Sequence, residues 1–255
     1  MVSEQGLWYA DEGSGPPLVV LHPGGTDSRS MTPLLDHLDG YRRITIDRPG
    51  HGRSADTAGA WSFADMADSI ARVLRSLPVH DTHVVGWSDG AIVGLHLTLR
   101  HPDLIRTLVF GGAPRHYSGW RESVLEGDPP QFMADAYAEV SPDGAEHWDV
   151  VVRKSAELHR SEPRLSLEEL STVTVPVLIL SGDDDEVRFE HLIELYEALP
   201  DGELAIVPRS THALIVEKPD LVARLIRDFH AEPRQNGFAP IRRADRRDTA
   251  TKGGG

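Results

Sequence analysis

The five residues Gly86-Trp87-Ser88-Asp89-Gly90 join an apolar, strand-like run, His83 to Trp87, to a helix-like run, Ala91 to Arg100. A serine flanked by glycines at such a junction constrains the fold strongly. The strand must end, the chain must turn sharply, and the helix must pack back along the sheet, so the points of closest approach need residues without a Cβ. In this turn the Ser88 hydroxyl projects into a cleft. Glycine and serine are common residues; it is the position between strand and helix that gives the pattern its meaning.

The same alternation extends along the chain. Short apolar runs recur at Leu18–Leu21, Arg43–Ile46, Leu104–Phe110, Val175–Leu180 and Glu203–Val207, with helical patterns at Ser62–Leu77, Asp89–Arg100, Phe189–Leu199 and Lys218–Phe229. Continuous apolar runs read as strands buried on both faces, which predicts an α/β fold with a mostly parallel central sheet flanked by helices. Leu7–Asp11 reads as an edge strand leading into the Gly13-Ser14-Gly15-Pro16-Pro17 turn. Between Ala113 and Thr174 no clear strand is present, and Trp120, Phe132, Tyr137 and Trp148 lie among acidic, helix-compatible stretches. The expected organisation is therefore a core of residues 1–112 and 175–231, a helical cap inserted at 113–174, and a disordered tail over 232–255.

Composition excludes several classes. No apolar run approaches the ~20 residues that span a bilayer, and the first residues lack the basic start and apolar core of an export signal. A net charge of −14 disfavours nucleic acid or an anionic membrane as a partner. The charge is uneven: from Pro233 onward six basic residues face only Asp245 and Asp248. With no cysteine there is no disulfide and no thiolate nucleophile, and a cytoplasmic location is expected. Nothing in the sequence indicates the oligomeric state.

A serine hydroxyl is a weak nucleophile at neutral pH and needs a base, itself oriented by a carboxylate. Two late loops supply candidates. After Val175–Leu180 the chain reads Ser181-Gly182-Asp183-Asp184-Asp185-Glu186, and after Glu203–Val207 it reads Pro208-Arg209-Ser210-Thr211-His212. Asp183, Asp184 and Asp185 are alternative acids, and His212 is the candidate base.

From about Gly6 to Phe229 the chain resembles an α/β-hydrolase. His22-Pro23-Gly24-Gly25 is similar to that family's His-Gly-x loop, Asp47 to Ser54 to its D-x-x-G-x-G-x-S loop, and Ser88 and His212 to its nucleophile and base. The resemblance implies a Ser88–His212–Asp185 triad, because the family's G-x-x-D spacing selects Asp185. It implies an oxyanion hole from the backbone N–H groups of Asp89 and Gly24. Pro23 has no N–H to give, which leaves open whether Gly24 or Gly25 is the second donor. His22 and His51 are expected to be structural. The reaction so implied is cleavage of a small-molecule carboxylic ester, lactone, thioester or activated amide, with no metal or organic cofactor. Acyl transfer or cyclisation on the same triad, and non-catalytic ligand binding on the same scaffold, are the alternatives.

Asp89 departs from the family's usual pattern, which has an uncharged residue after the nucleophile. A carboxylate there suits the helix N-terminus but opposes an oxyanion unless a cation neutralises it. The elbow alone is similar to that of valacyclovirase-like (biphenyl hydrolase-like) enzymes, which implies that a substrate ammonium would be the cation. Asp89, Trp87, Trp120 and Trp148 are accordingly the expected substrate contacts.

Overall fold

The computed structural model describes residues 1–3, 6–122 and 128–231. The expected tail at 232–255 lies outside these residues. Seven strands form one sheet: β1 (Tyr9–Gly13), β2 (Pro17–Leu21), β3 (Arg42–Ile46), β4 (Thr82–Trp87), β5 (Ile105–Gly111), β6 (Val177–Asp184) and β7 (Gly202–Thr211). Their order is β1-β3-β2-β4-β5-β6-β7, parallel throughout except for β1, which runs antiparallel to β3.

Period-two alternation within each strand builds two cores. Val84, Leu108 and Ile179 point to one face and meet Ile70 and Leu74 of α2 (Phe63–Ser76), Ile92 and Leu95 of α3 (Asp89–Arg100), and Leu192 and Leu195 of α7 (Phe189–Ala198). Their neighbours Val85, Val109, Leu178 and Leu180 point to the other face. There they meet Leu34 of α1 (Thr32–Leu35), Ile215 of α8 (Leu214–Glu217) and Val222 and Ile226 of α9 (Pro219–His230). Burial on both faces explains why these strands read as unbroken apolar runs. Between β5 and β6 lie α4 (Gln131–Val140), α5 (Trp148–Ser161) and α6 (Leu167–Ser171). Among the described residues, no helix is long and apolar enough to cross a membrane.

Three strands, β1, β6 and β7, depart from the expected bounds by two residues or more. The first begins at Tyr9 rather than Leu7 and continues to Gly13, because its antiparallel register carries Gly13 opposite Arg42. The strand expected to end at Leu180 continues through Ser181–Asp184, because β7 runs on to Thr211 and pairs with Asp184 across an irregularity. This extension brings residue 185 and residue 212 to the same end of adjacent strands.

The described residues between 113 and 174 carry helices and none of the seven strands, and they are tied to the rest of the chain by polar contacts. Asp56 accepts from Lys154 Nζ at 2.7 Å, from His147 Nε2 at 2.9 Å and from its neighbour Trp61 Nε1 at 2.8 Å. Arg29 pairs with Glu139 at 2.7 Å, and the Phe63 N–H donates to Glu162 at 2.9 Å.

The elbow depends on two glycines. A Cβ on Gly86 would strike the carbonyl oxygen of Gly90, and one on Gly90 would strike the carbonyl oxygen of Leu21 in β2. Both obstacles are backbone, so neither can yield as a side chain would. Gly90→Ala is therefore expected to cost at least about 3 kcal/mol, the upper range for forcing volume into a packed interior. Urea unfolding would measure this, and a loss below 1 kcal/mol would contradict the contact.

Candidate active site

Ser88 sits between β4 and α3 with φ +53° and ψ −125°, a left-handed conformation unusual for a residue with a Cβ. The strain is held by the surroundings. Ser88 N–H donates to Gly111 O at 2.7 Å, and Ser88 O accepts from the N–H groups of Ala91 and Ile92. The turn leaves Ser88 8% exposed on the wall of a cavity of about 380 Å³. As the first residue of α3, Asp89 has no intrahelical acceptor for its N–H, which lies at the positive end of the helix dipole.

His212 follows β7 and lines the same cavity. Its Nδ1 is 2.7 Å from Asp185 Oδ1, and Asp185 Oδ2 also accepts from Ser181 Oγ at 2.9 Å and the Gly182 N–H at 3.2 Å. Of the three candidate acids, the structure pairs Asp185 with the histidine. Asp183 is turned to the Ser210 N–H, and Asp184 is exposed. Burial works against charge on both partners, yet their hydrogen bond prevails: the His212 imidazole is raised above its ordinary value and the Asp185 carboxyl is lowered. Nδ1–H donating to Asp185 leaves Nε2 facing the cavity. Among the described residues Ser88 Oγ closes no hydrogen bond; such bonds tighten when substrate fills an empty site.

The early loop is organised around one carbonyl. Pro23 O accepts from Arg48 Nη2 at 2.9 Å, from Thr26 Oγ1 at 3.0 Å and from His22 Nδ1 at 2.8 Å. His22 Nε2 accepts the Arg48 N–H at 3.0 Å, which assigns a neutral ring with its proton on Nδ1. Burial and the adjacent Arg48 charge hold His22 near a pKa of about 3. His51 is likewise buried, held well below its ordinary value, and bonded to Pro49 O at 2.9 Å. Both histidines are buried with Nδ1 against a loop carbonyl, and their surroundings disfavour the doubly protonated ring. The following loop is closed by Asp47, which accepts from Arg53 Nε at 2.7 Å and the Ser28 N–H at 3.0 Å.

Asp89 does not present an unpaired carboxylate to the cavity. It is 2% exposed; its Oδ1 accepts from His159 Nε2 of α5 at 2.7 Å, and its Oδ2 is 3.6 Å from the buried Arg48 Nη1. A Cβ on Gly24 would also strike this carboxylate, so loop and elbow are in contact here. The cation that sequence reasoning assigned to a substrate amine is thus supplied by the protein. Sequence reasoning missed His159 because it lies on a helix whose docking no local pattern specifies. Arg48 was within a quoted motif, and a buried Arg beside an acidic elbow was the available signal.

The tryptophans divide. Trp120 and Trp148 line the cavity, with Trp120 edge-on to His212 and His159 at ring-centre distances of 6.3 and 5.8 Å. Trp87 does not: it is 1% exposed within the core and donates from Nε1 to His212 O at 2.9 Å. Its side chain points to the face of β4 opposite the cavity, so its role is to brace the histidine's backbone. Met133, Val151 and Val152 complete an apolar wall from α4 and α5. Among the described residues, no three histidine or carboxylate side chains are grouped to hold a metal ion.

The Asp89–His159 pair makes stability depend on pH. Burial disfavours both charges, but Asp89 raises His159 above 6.5, while His159 and Arg48 hold Asp89 well below the carboxylate range. The His159 contribution is complete below its unfolded value and is lost as pH rises through its raised folded value. The Asp89 contribution is present above its unfolded value and is lost as pH falls through its lowered one. His159→Gln is therefore expected to cost about 3 kcal/mol near pH 6, by loss of one partner of a buried pair. Urea unfolding at rising pH should show that difference shrink toward pH 9; a constant difference would mean that His159 is not charged in the folded protein.

Comparison with known proteins agrees with this architecture. A family model described as the alpha/beta hydrolase fold matches residues 16–174. A protein of Azorhizobium caulinodans whose assigned name is carbamate hydrolase RutD is 26% identical, covering 89% of this chain and 95% of that protein. A pimeloyl-[acyl-carrier protein] methyl ester esterase of Vibrio vulnificus is 27% identical over 88% of this chain and 97% of its own length. Among solved structures, the meta-cleavage product hydrolase of Pseudomonas fluorescens IP01 superposes with TM-score 0.71 at 21% identity, covering 88% of this chain and 93% of that one. With this match over more than half its length, and with relatives that are hydrolases by name, the chain belongs to the α/β-hydrolase family of enzymes.

Proposed function

We propose that the protein is a serine hydrolase of carboxylic esters or related acyl bonds, acting through Ser88, His212 and Asp185. The observation that carries this reading is convergence: a strained serine at a helix N-terminus and a carboxylate-bound histidine face one largely apolar cavity. The relatives named for ester and carbamate hydrolysis support the class of bond.

In this mechanism Ser88 Oγ attacks the acyl carbon while His212 Nε2 takes its proton. Asp185 orients the ring and stabilises the imidazolium without accepting the proton. The N–H groups of Asp89 and Gly24 receive the oxyanion. His212 returns the proton to the departing group, the bond to that group breaks, and water then releases the acyl chain from Ser88. His159 and Arg48 leave the surroundings of Asp89 net positive, so negative charge can form beside a carboxylate. Trp120, Trp148 and the α4–α5 wall suit an apolar acyl substituent.

Ser88→Ala and His212→Ala are each expected to lower acyl-ester turnover about a thousand-fold or more, and the double variant to be little worse than either. Asp185→Asn should be impaired by about 10⁴, with Asp184→Asn near wild type. Labelling of Ser88 by a fluorophosphonate provides an independent measure. A folded protein that neither labels nor turns over any ester would mark a binding protein on the hydrolase scaffold.

A further inference from the structure

His212 has carboxylates on both sides. Asp185 holds Nδ1, and Glu186 Oε2 lies 3.6 Å from Nε2. On the reading above, which this inference rests upon, Nε2 hands the proton to the departing group. That transfer requires the leaving atom within about 3 Å of Nε2. Whatever acyl bond is cut, the first atoms of the leaving group therefore pass the Glu186 carboxylate.

Glu186 is free to act there. Its side chain is 44% exposed on the cavity wall, and among the described residues its ion pair is with His212; Arg121 is held at the backbone, its N–H donating to Glu186 O and its Nε to Asp185 O. The other carboxylates differ: Asp89 is neutralised by His159 and Arg48, whereas Asp128, on the same wall, has no ion pair among the described residues. Arg160, on α5 next to His159, is the wall's exposed cation. The chain's net charge of −14 favours the approach of cations over anions in general.

We propose that Glu186 selects the leaving group, favouring an alcohol or amine that carries positive charge near the scissile bond and disfavouring one that carries carboxylate, sulfonate or phosphate. The chemistry is otherwise that of acyl transfer to Ser88: the acyl–oxygen or acyl–nitrogen bond breaks, and the leaving atom takes the proton from Nε2 and departs as the free alcohol or amine. The carboxylate forms no covalent bond.

Three acetate esters of matched size test this: the choline ester, its neutral 3,3-dimethylbutyl counterpart and the anionic 2-sulfoethyl ester. Each is measured as kcat and KM with wild type and with Glu186→Gln. The substitution keeps the backbone bonds from the Glu186 N–H to Asp185 and from Arg121 to Glu186 O. Wild type should prefer the choline ester over the neutral one by about five-fold at low salt, mainly in KM, as expected of a partly exposed ion pair. High salt should reduce that preference. In Glu186→Gln it should fall toward unity, and the sulfoethyl ester should gain. The readout is the change in the choline-to-neutral ratio between wild type and Glu186→Gln, in which the intrinsic difference in leaving-group reactivity cancels. Equal wild-type rates for choline and neutral esters, or a preference that survives the substitution, would overturn the assignment while leaving the hydrolase reading intact. Should the variant not fold, a wild-type preference insensitive to salt would also overturn it. Failure of all three esters together with failure of Ser88 to label would overturn both.

Discussion

The buried Asp89 carboxylate is the point on which the rest of the site depends. It begins α3, touches Gly24 of the early loop, lies 3.6 Å from Arg48 of the next loop and accepts from His159 of α5. Four separate segments are thereby fixed relative to Ser88. A single buried carboxylate would be costly, and a buried arginine equally so. Placed together they satisfy one another, and Asp89 raises the His159 imidazole above its ordinary value, which favours positive charge here. That charge sits beside the N–H donors at the N-terminus of α3, where an oxyanion would need it.

Local periodicity made the core legible. Strands buried on both faces leave unbroken apolar runs, α3 matches its expected bounds from Asp89 to Arg100, and the G-x-S-x-G pattern requires the close backbone approaches seen at Gly86 and Gly90. The loops that carry Asp183–Asp185 and His212 were legible for a related reason, since each follows a strand at the sheet's carboxyl end, whereas the choice of Asp185 among the three acids rested on the family's spacing. What was not legible depends on docking. His159 reads as an ordinary polar residue of an amphipathic helix, and only the placement of α5 over the elbow brings it to Asp89. Trp87 shows the converse: adjacency to Ser88 in sequence suggested the cavity, but in a strand neighbouring side chains point to opposite faces, and Trp87 enters the core.

The ties between the 113–174 segment and the core limit how the cavity can be reached. Arg29, Asp56 and the Phe63 N–H connect to α4, α5 and Glu162, which follows α5, while His159 reaches the elbow itself. Lifting α5 would break the Asp56–Lys154 contact and separate the buried Asp89–His159 pair together. The second of these would be the larger cost, because it leaves Asp89 with Arg48 alone. Opening by that route is opposed most strongly while His159 is protonated.

The two carboxylates nearest His212 show how environment divides identical chemistry. Asp185 is buried and receives donors on both oxygens, so it is committed to orienting the imidazole. Glu186, one residue later, has its backbone N–H bonded to Asp185 Oδ1 while its side chain turns to the cavity. That bond sets the direction in which residue 186 leaves the turn, so fixing the acid also aims its neighbour. The turn that holds His212 Nδ1 therefore also places a second carboxylate beside Nε2, and a change at either residue alters the field at both nitrogens of His212.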